Sequence, residues 1–174
     1  FAETKGESNA GTLTLTPYKT NPDLNITFTE KGFISARTKS LGKGGDINIL
    51  APENIKITGD GQITVESEGS GDAGIINIET ENLTIAENTK ISASTSDSGN
   101  GGEIKINSSE TFQLQGRILT ETTGTGDGGI INIEAGEITA PNSTISAKST
   151  GAGNAGTIDI TAQGDITTGV VTSA

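Results

Sequence analysis

Residues 98–110 read SGNGGEIKINSSE: three glycines within five residues, then Ile104 and Ile106 alternating with Lys105. A glycine pair ahead of such a run is either a phosphate-cradling loop or a corner where the chain turns into a strand. Recurrence decides between them. KGGDINIL begins at Lys43, DAGIINIE at Asp72, NGGEIKIN at Asn100, DGGIINIE at Asp127 and NAGTIDIT at Asn154, with a weaker copy, NAGTLTLT, at Asn9. The glycine before each run marks the phase: Gly11, Gly45, Gly74, Gly102, Gly129 and Gly156, at successive spacings of 34, 29, 28, 27 and 27. A nucleotide-binding glycine motif occurs once, at one strand-to-helix turn, whereas self-similarity at this period signals a repeat architecture. These glycines are therefore read as corners.

Each repeat holds three short alternating runs. The clearest copy has Ile76/Ile78, Leu83/Ile85 and Ile91/Ala93. Period-two alternation puts one side chain in and the next out. No run is long enough for an amphipathic helix, and Gly, Asn, Asp or Ser separates nearly all of them. Three strands per turn, stacked turn on turn, make an all-β parallel β-helix, or β-solenoid, of about six coils of 27–34 residues starting near residues 11, 45, 74, 102, 129 and 156. Six rungs at ~4.8 Å would stand roughly 29 Å tall. The inner columns are Ile, Leu and Val on two faces and narrow to Ala36, Val65, Ala93, Thr120 and Ala147 on the third. PYKTNPDLN, residues 17–25, reads as an insertion at a corner of the first coil.

The residue two before each marker glycine supports this register. It runs Asn9, Lys43, Asp72, Asn100, Asp127, Asn154, so no two aspartates are stacked neighbours and Lys43 lies beside Asp72. Like charges at ~4.8 Å would repel by up to about 3.5 kcal/mol at an effective dielectric of 20. Alternating Asp with Asn avoids that and permits an amide ladder.

The stretches AGIINIETENLTIAENTKISAST (residues 73–95) and GGIINIEAGEITAPNSTISAKST (residues 128–150) share the pattern GGxIxI…LxI…xISAxT. In this they resemble the repeats of filamentous-haemagglutinin-like bacterial exoproteins, large proteins secreted by the two-partner route and abundant in cyanobacteria. The resemblance runs from about Gly32 to Gly164. It implies a right-handed parallel β-helix, a secreted or cell-surface location, and a role in adhesion or structure. The family's secretion domain carries NPNL and NPNGI motifs. Here only NPDL, Asn21 to Leu24, comes close, and it lies in the insertion, where it reads as a turn. The chain thus resembles shaft rather than export domain.

Composition excludes several classes of function. The net charge is −11, an unfavourable surface for nucleic acid or anionic membranes. No stretch approaches 18 apolar residues. No basic segment followed by an apolar one opens the sequence, so the chain is either cytoplasmic or shown without its export signal. Histidine and cysteine are both absent, which removes imidazole bases and thiolate or imidazole metal ligands. Arg37 and Arg117 are the only arginines, and the outward column Thr14, Asn48, Asn77, Lys105, Asn132, Asp159 holds no continuous acids. That disfavours a carbohydrate-active β-helix enzyme, which would need paired acids at a set separation.

No cofactor is expected, with calcium the one candidate. GDGQ, GSGDAG and GTGDGG place Asp60, Asp72 and Asp127 in glycine-rich turns, where hard oxygen ligands suit Ca²⁺; an ordinary turn aspartate is the competing reading. Ile75, Ile130 and Leu50 fall at outward positions, and Phe1, Tyr18, Phe28 and Phe33 gather near the N-terminal end as a possible glycan platform, Phe28 being assigned to the core. The opening FAETKGESNAG aligns with SAKSTGAGNAG at residues 146–156, and VVTSA closes the sequence inside a third run. The expectation is one solenoid segment of a longer array, its partners being like units end to end and a neighbouring cell surface or glycan. The expected function is a non-catalytic structural or adhesive shaft. The alternatives are a self-assembling filament or sheath subunit and, behind it, the carbohydrate-active enzyme.

Overall fold

The computed structural model describes residues 2–173. It is all-β, with fourteen strands joined in one parallel sheet that winds as a β-solenoid. The second coil shows the plan most simply. Strand β5 (Asp46–Leu50), β6 (Asn54–Gly59) and β7 (Gln62–Ser67) form its three faces. In the first coil the same faces are β2 (Thr12–Leu15), β3 (Asp23–Phe28) and β4 (Phe33–Thr38), and β1 (Ala2–Thr4) pairs with β4 as a third-face strand of the turn before.

Later coils differ from the expected three separate strands. β8 (Ile75–Ile85) and β10 (Glu103–Leu114) each run through the first two faces without a break, with β9 (Lys90–Thr95) and β11 (Arg117–Leu119) supplying the third. β12 (Ile130–Ser146) covers all three faces; β13 (Thr157–Ala162) and β14 (Ile166–Thr172) complete the last turn. The first corner needs no loop because an inward hydroxyl fills it. Thr80 Oγ1 donates to Glu53 O at 3.0 Å, and Ser108 Oγ lies 2.9 Å from Glu81 O and 2.6 Å from Thr111 O. The backbone stays extended and only a register shift between Ser108 and Thr111 marks the bend.

The stacking register is the one read from the repeats. Leu13, Ile47, Ile76, Ile104, Ile131 and Ile158 are successive partners on the first face. Leu24, Ile55, Leu83, Phe112, Ile138 and Ile166 follow on the second, and Ile34, Ile63, Ile91, Ile118, Ile145 and Val171 on the third. In the middle coils these side chains are fully buried, with Phe112 the largest of them. Each such Ile or Leu removed from water contributes about 1.5–3 kcal/mol before entropy is charged against it. Toward the ends the cover thins: Leu13, Leu24 and Ile34 of the first coil and Ile158 of the last are half-buried, while Ile166 and Val171 are exposed at 47% and 41%.

The second corner is where backbone conformation matters. Glu30 and Lys31 have φ of 51° and 59°, Asn88 has 64°, and Gly59 has 92°. These left-handed residues let the chain double back between the second and third faces. Phe28 sits at this corner, 8% exposed, as the core reading required.

Candidate functional site

The corner joining the third face to the first holds the marker glycines, the Asn/Asp column and two of the three candidate calcium aspartates. It is built by close approach. None of Gly11, Gly45, Gly74, Gly102, Gly129 and Gly156 has a positive φ. From Gly45 onward they are glycine because a Cβ would overlap the carbonyl oxygen of the marker glycine one coil before: Gly11 O under Gly45, Gly45 O under Gly74, Gly74 O under Gly102, and so on to Gly156. A second column, Gly71, Gly99, Gly126 and Gly153, is crowded in the same way by the carbonyls of Gly42, Gly71, Gly99 and Gly126. Its signal was in the sequence: each of these lies three residues before a marker glycine, as does Gly42 before Gly45.

The Asn/Asp column is a ladder built on backbone N–H donors, with the anticipated side-chain amide bond present at one step, Asn154 Nδ2 to Asp127 Oδ1 at 3.1 Å. Each acceptor takes the backbone N–H of its counterpart one coil on. Lys43 N–H donates to Asn9 Oδ1 (2.9 Å), Asn100 N–H to Asp72 Oδ1 (2.8 Å), Asp127 N–H to Asn100 Oδ1 (2.9 Å) and Asn154 N–H to Asp127 Oδ1 (2.7 Å). The upper residue's carbonyl answers each time. Ala10 N–H donates to Lys43 O, Ala73 to Asn100 O, Gly101 to Asp127 O and Gly128 to Asn154 O, at 2.8–3.0 Å. Asp and Asn are interchangeable here because both offer Oδ1, so the aspartates could be spaced to avoid repulsion without loss of the bond. Lys43 is the one member with no acceptor. It stacks next to Asp72 through Gly44 N–H to Asp72 O at 2.9 Å, and no ion pair joins the two side chains among the described residues.

A hydroxyl column lies beside the glycines: Thr4, Thr38, Ser67, Thr95, Thr122 and Ser149 are successive stacking partners, the middle four buried and the two end members half-buried. Thr95 Oγ1 donates to Gly99 O at 2.7 Å and lies 3.0 Å from Thr122 Oγ1; Ser149 Oγ donates to Gly126 O at 3.2 Å. From Ser67 onward these hydroxyls clip glycine-loop carbonyls, those of Gly42, Gly99 and Gly126, to the shaft. Their signal in the sequence is position: each lies seven residues before its marker glycine.

The three candidate calcium aspartates do not converge. Asp72 and Asp127 are ladder members two coils apart with Asn100 between them, and Oδ1 of each accepts a backbone N–H. Asp60 sits in the turn between β6 and β7, at the other corner. Among the described residues no group of three or more acids is placed to hold a metal ion.

The outward column Thr14, Asn48, Asn77, Lys105, Asn132, Asp159 is confirmed by pairing and forms a solvated face with local partners: Lys105 to Glu103 at 3.1 Å, Asn77 Nδ2 to Glu79 Oε1 at 2.8 Å. On the third face Arg37 binds Glu3 through Nη2 at 2.8 Å and Nε at 2.9 Å. That hydrogen bond holds the Glu3 carboxyl below the usual glutamate range and raises Arg37 in turn. Of the aromatics, Tyr18 and Phe33 are exposed, Lys19 Nζ lies 4.8 Å from the Tyr18 ring centre, and Phe1 falls outside the described residues. NPDL is a turn only in its first half: Asp23 N–H donates to Asn21 Oδ1 at 3.2 Å, but Asp23 and Leu24 already belong to β3, so the insertion ends at Pro22 rather than at Asn25. Ile130 is exposed at 44%, while Ile75 and Leu50 are half-covered.

No family model, curated protein or solved structure matches the chain. What the corner can do chemically follows from its own geometry. It locks one coil to the next through reciprocal bonds that use Oδ1 of each Asp or Asn acceptor.

Proposed function

We propose that this solenoid is a non-catalytic shaft of a secreted or cell-surface fibrous protein, of the kind the filamentous-haemagglutinin-like repeats build. The observation that carries the reading is the reciprocal Asn/Asp ladder, which spans four of the five steps between six coils. A ladder, two glycine columns and a hydroxyl column all serve stacking, and each repeats at the coil period. Such a solenoid is quasi-one-dimensional, so its length is set by the number of coils and its stiffness by the contacts between neighbours. The acidic, alternating exterior keeps shafts soluble and apart. Adhesion would then be carried by exposed side chains such as Tyr18 and Phe33, outside the ladder.

Immunogold electron microscopy of the cells that make the protein tests this reading. Label along surface fibres or stalks is the expected result. Label confined to the cytoplasm would overturn it, and release of reducing or unsaturated sugar ends by the purified chain would replace it with the enzyme reading. Growth of the purified chain into continuous fibres would favour the filament subunit.

A further inference from the structure

We infer that Asn100 is a latent modification site: an Asn–Gly pair held unreactive by the stacked coils, which deamidates when its corner opens and then prevents that corner from closing again. Asn100–Gly101 is the only Asn–Gly dipeptide in the chain. Asparagine is thermolabile, and before glycine the following backbone nitrogen has least hindrance. In the reaction Gly101 N attacks Asn100 Cγ and a new C–N bond forms. The Cγ–Nδ2 bond breaks, and the proton lost from Gly101 N leaves with ammonia. Water then opens the succinimide at one carbonyl or the other, giving aspartate or isoaspartate. Asn100 is exposed, so water reaches it.

Four hydrogen bonds oppose the first step. Gly101 N–H, the nucleophile, donates to Asp127 O at 2.9 Å. Asn100 Oδ1, on the electrophilic amide, accepts Asp127 N–H at 2.9 Å. Asn100 N–H is held by Asp72 Oδ1 at 2.8 Å, and its carbonyl accepts Ala73 N–H at 3.0 Å. The coil on each side fixes the backbone, so Gly101 N cannot swing onto Cγ while both remain stacked. The reaction rate should follow the population of the open corner, as cleavage of a locally opened chain does.

The lesion would be lasting for a steric reason. Isoaspartate adds a methylene to the backbone beside Gly99 and Gly102, where even a Cβ would overlap Gly71 O and Gly74 O. Either product also puts a third carboxylate between Asp72 and Asp127, the arrangement the Asn/Asp alternation avoids.

The test incubates the full chain at mildly alkaline pH, folded in buffer and unfolded in concentrated urea. Deamidation at residue 100 is read by peptide mapping and isoaspartate by enzymatic methyl labelling. The folded chain is expected to react at least ~tenfold more slowly, the factor by which stacking depletes the open corner. Equal rates would overturn the lock. For the second half, chain aged in urea is returned to buffer beside freshly unfolded Asn100→Asp, which carries the charge without the extra methylene. The aged chain is expected to recover less β structure by circular dichroism; equal recovery would overturn the block to re-stacking.

Discussion

Asp127 Oδ1 accepts two hydrogen bonds from one residue in the next coil: the backbone N–H of Asn154 at 2.7 Å and its side-chain Nδ2 at 3.1 Å. In return Asn154 O accepts Gly128 N–H at 2.8 Å. Two coils are thereby joined at this corner by reciprocal hydrogen bonds.

The ladder predicts graded effects from three substitutions. Asp127→Ala removes the acceptor and should cost about 1 kcal/mol, whereas Asp127→Asn keeps Oδ1 and should cost much less. Lys43→Asn would supply the missing acceptor for Asp72 N–H and should stabilise by about 0.5–1.5 kcal/mol. Urea midpoints check all three; an unchanged midpoint in Asp127→Ala would remove the ladder as a source of stability.

Gly129 should not tolerate a methyl group. A Cβ there overlaps Gly102 O, a backbone atom that cannot rotate away. Gly129→Ala should destabilise by about 3 kcal/mol or prevent folding, as overpacking against a rigid neighbour does. Gly6→Ala is the control, since nothing lies within 4 Å of a Cβ there. Thermal unfolding of both variants distinguishes close approach from a general need for glycine; similar losses in the two would count against the steric account.

Thr120 occupies the narrow third-face column otherwise filled by alanine and valine. It is fully buried and its Oγ1 has no hydrogen-bond partner. Thr120→Val removes an unsatisfied hydroxyl at nearly constant volume and should raise stability by about 1 kcal/mol. A drop in the melting temperature would show that the hydroxyl is satisfied in solution.

The Glu3–Arg37 pair sets a pH dependence at the third face. The folded carboxyl titrates below its unfolded value, so its contribution is present above the ordinary glutamate range and fades as pH falls through the depressed folded value. A carboxyl-detected NMR titration should place Glu3 below the ordinary glutamate range. In Arg37→Ala it should rise toward that range; a Glu3 midpoint unmoved by that change would break the assignment.

The sequence by itself determined the coil, the inward columns and their register. Parallel stacking brings equivalent residues of successive repeats together, and period two fixes which of them face in. Ile76, Ile104 and Ile131 were therefore legible as stacked neighbours before any coordinate, and so was the Asn9-to-Asn154 column. Tertiary structure alone decided how that column bonds, because whether Oδ1 reaches an amide or a backbone N–H depends on the distance between coils. The same distance makes the corner glycines obligatory through contact with a carbonyl one coil away, a neighbour some 27 residues off that local pattern cannot show. It also leaves Asp60 apart from Asp72 and Asp127, since glycine-rich turns alike in sequence lie at different corners of the coil.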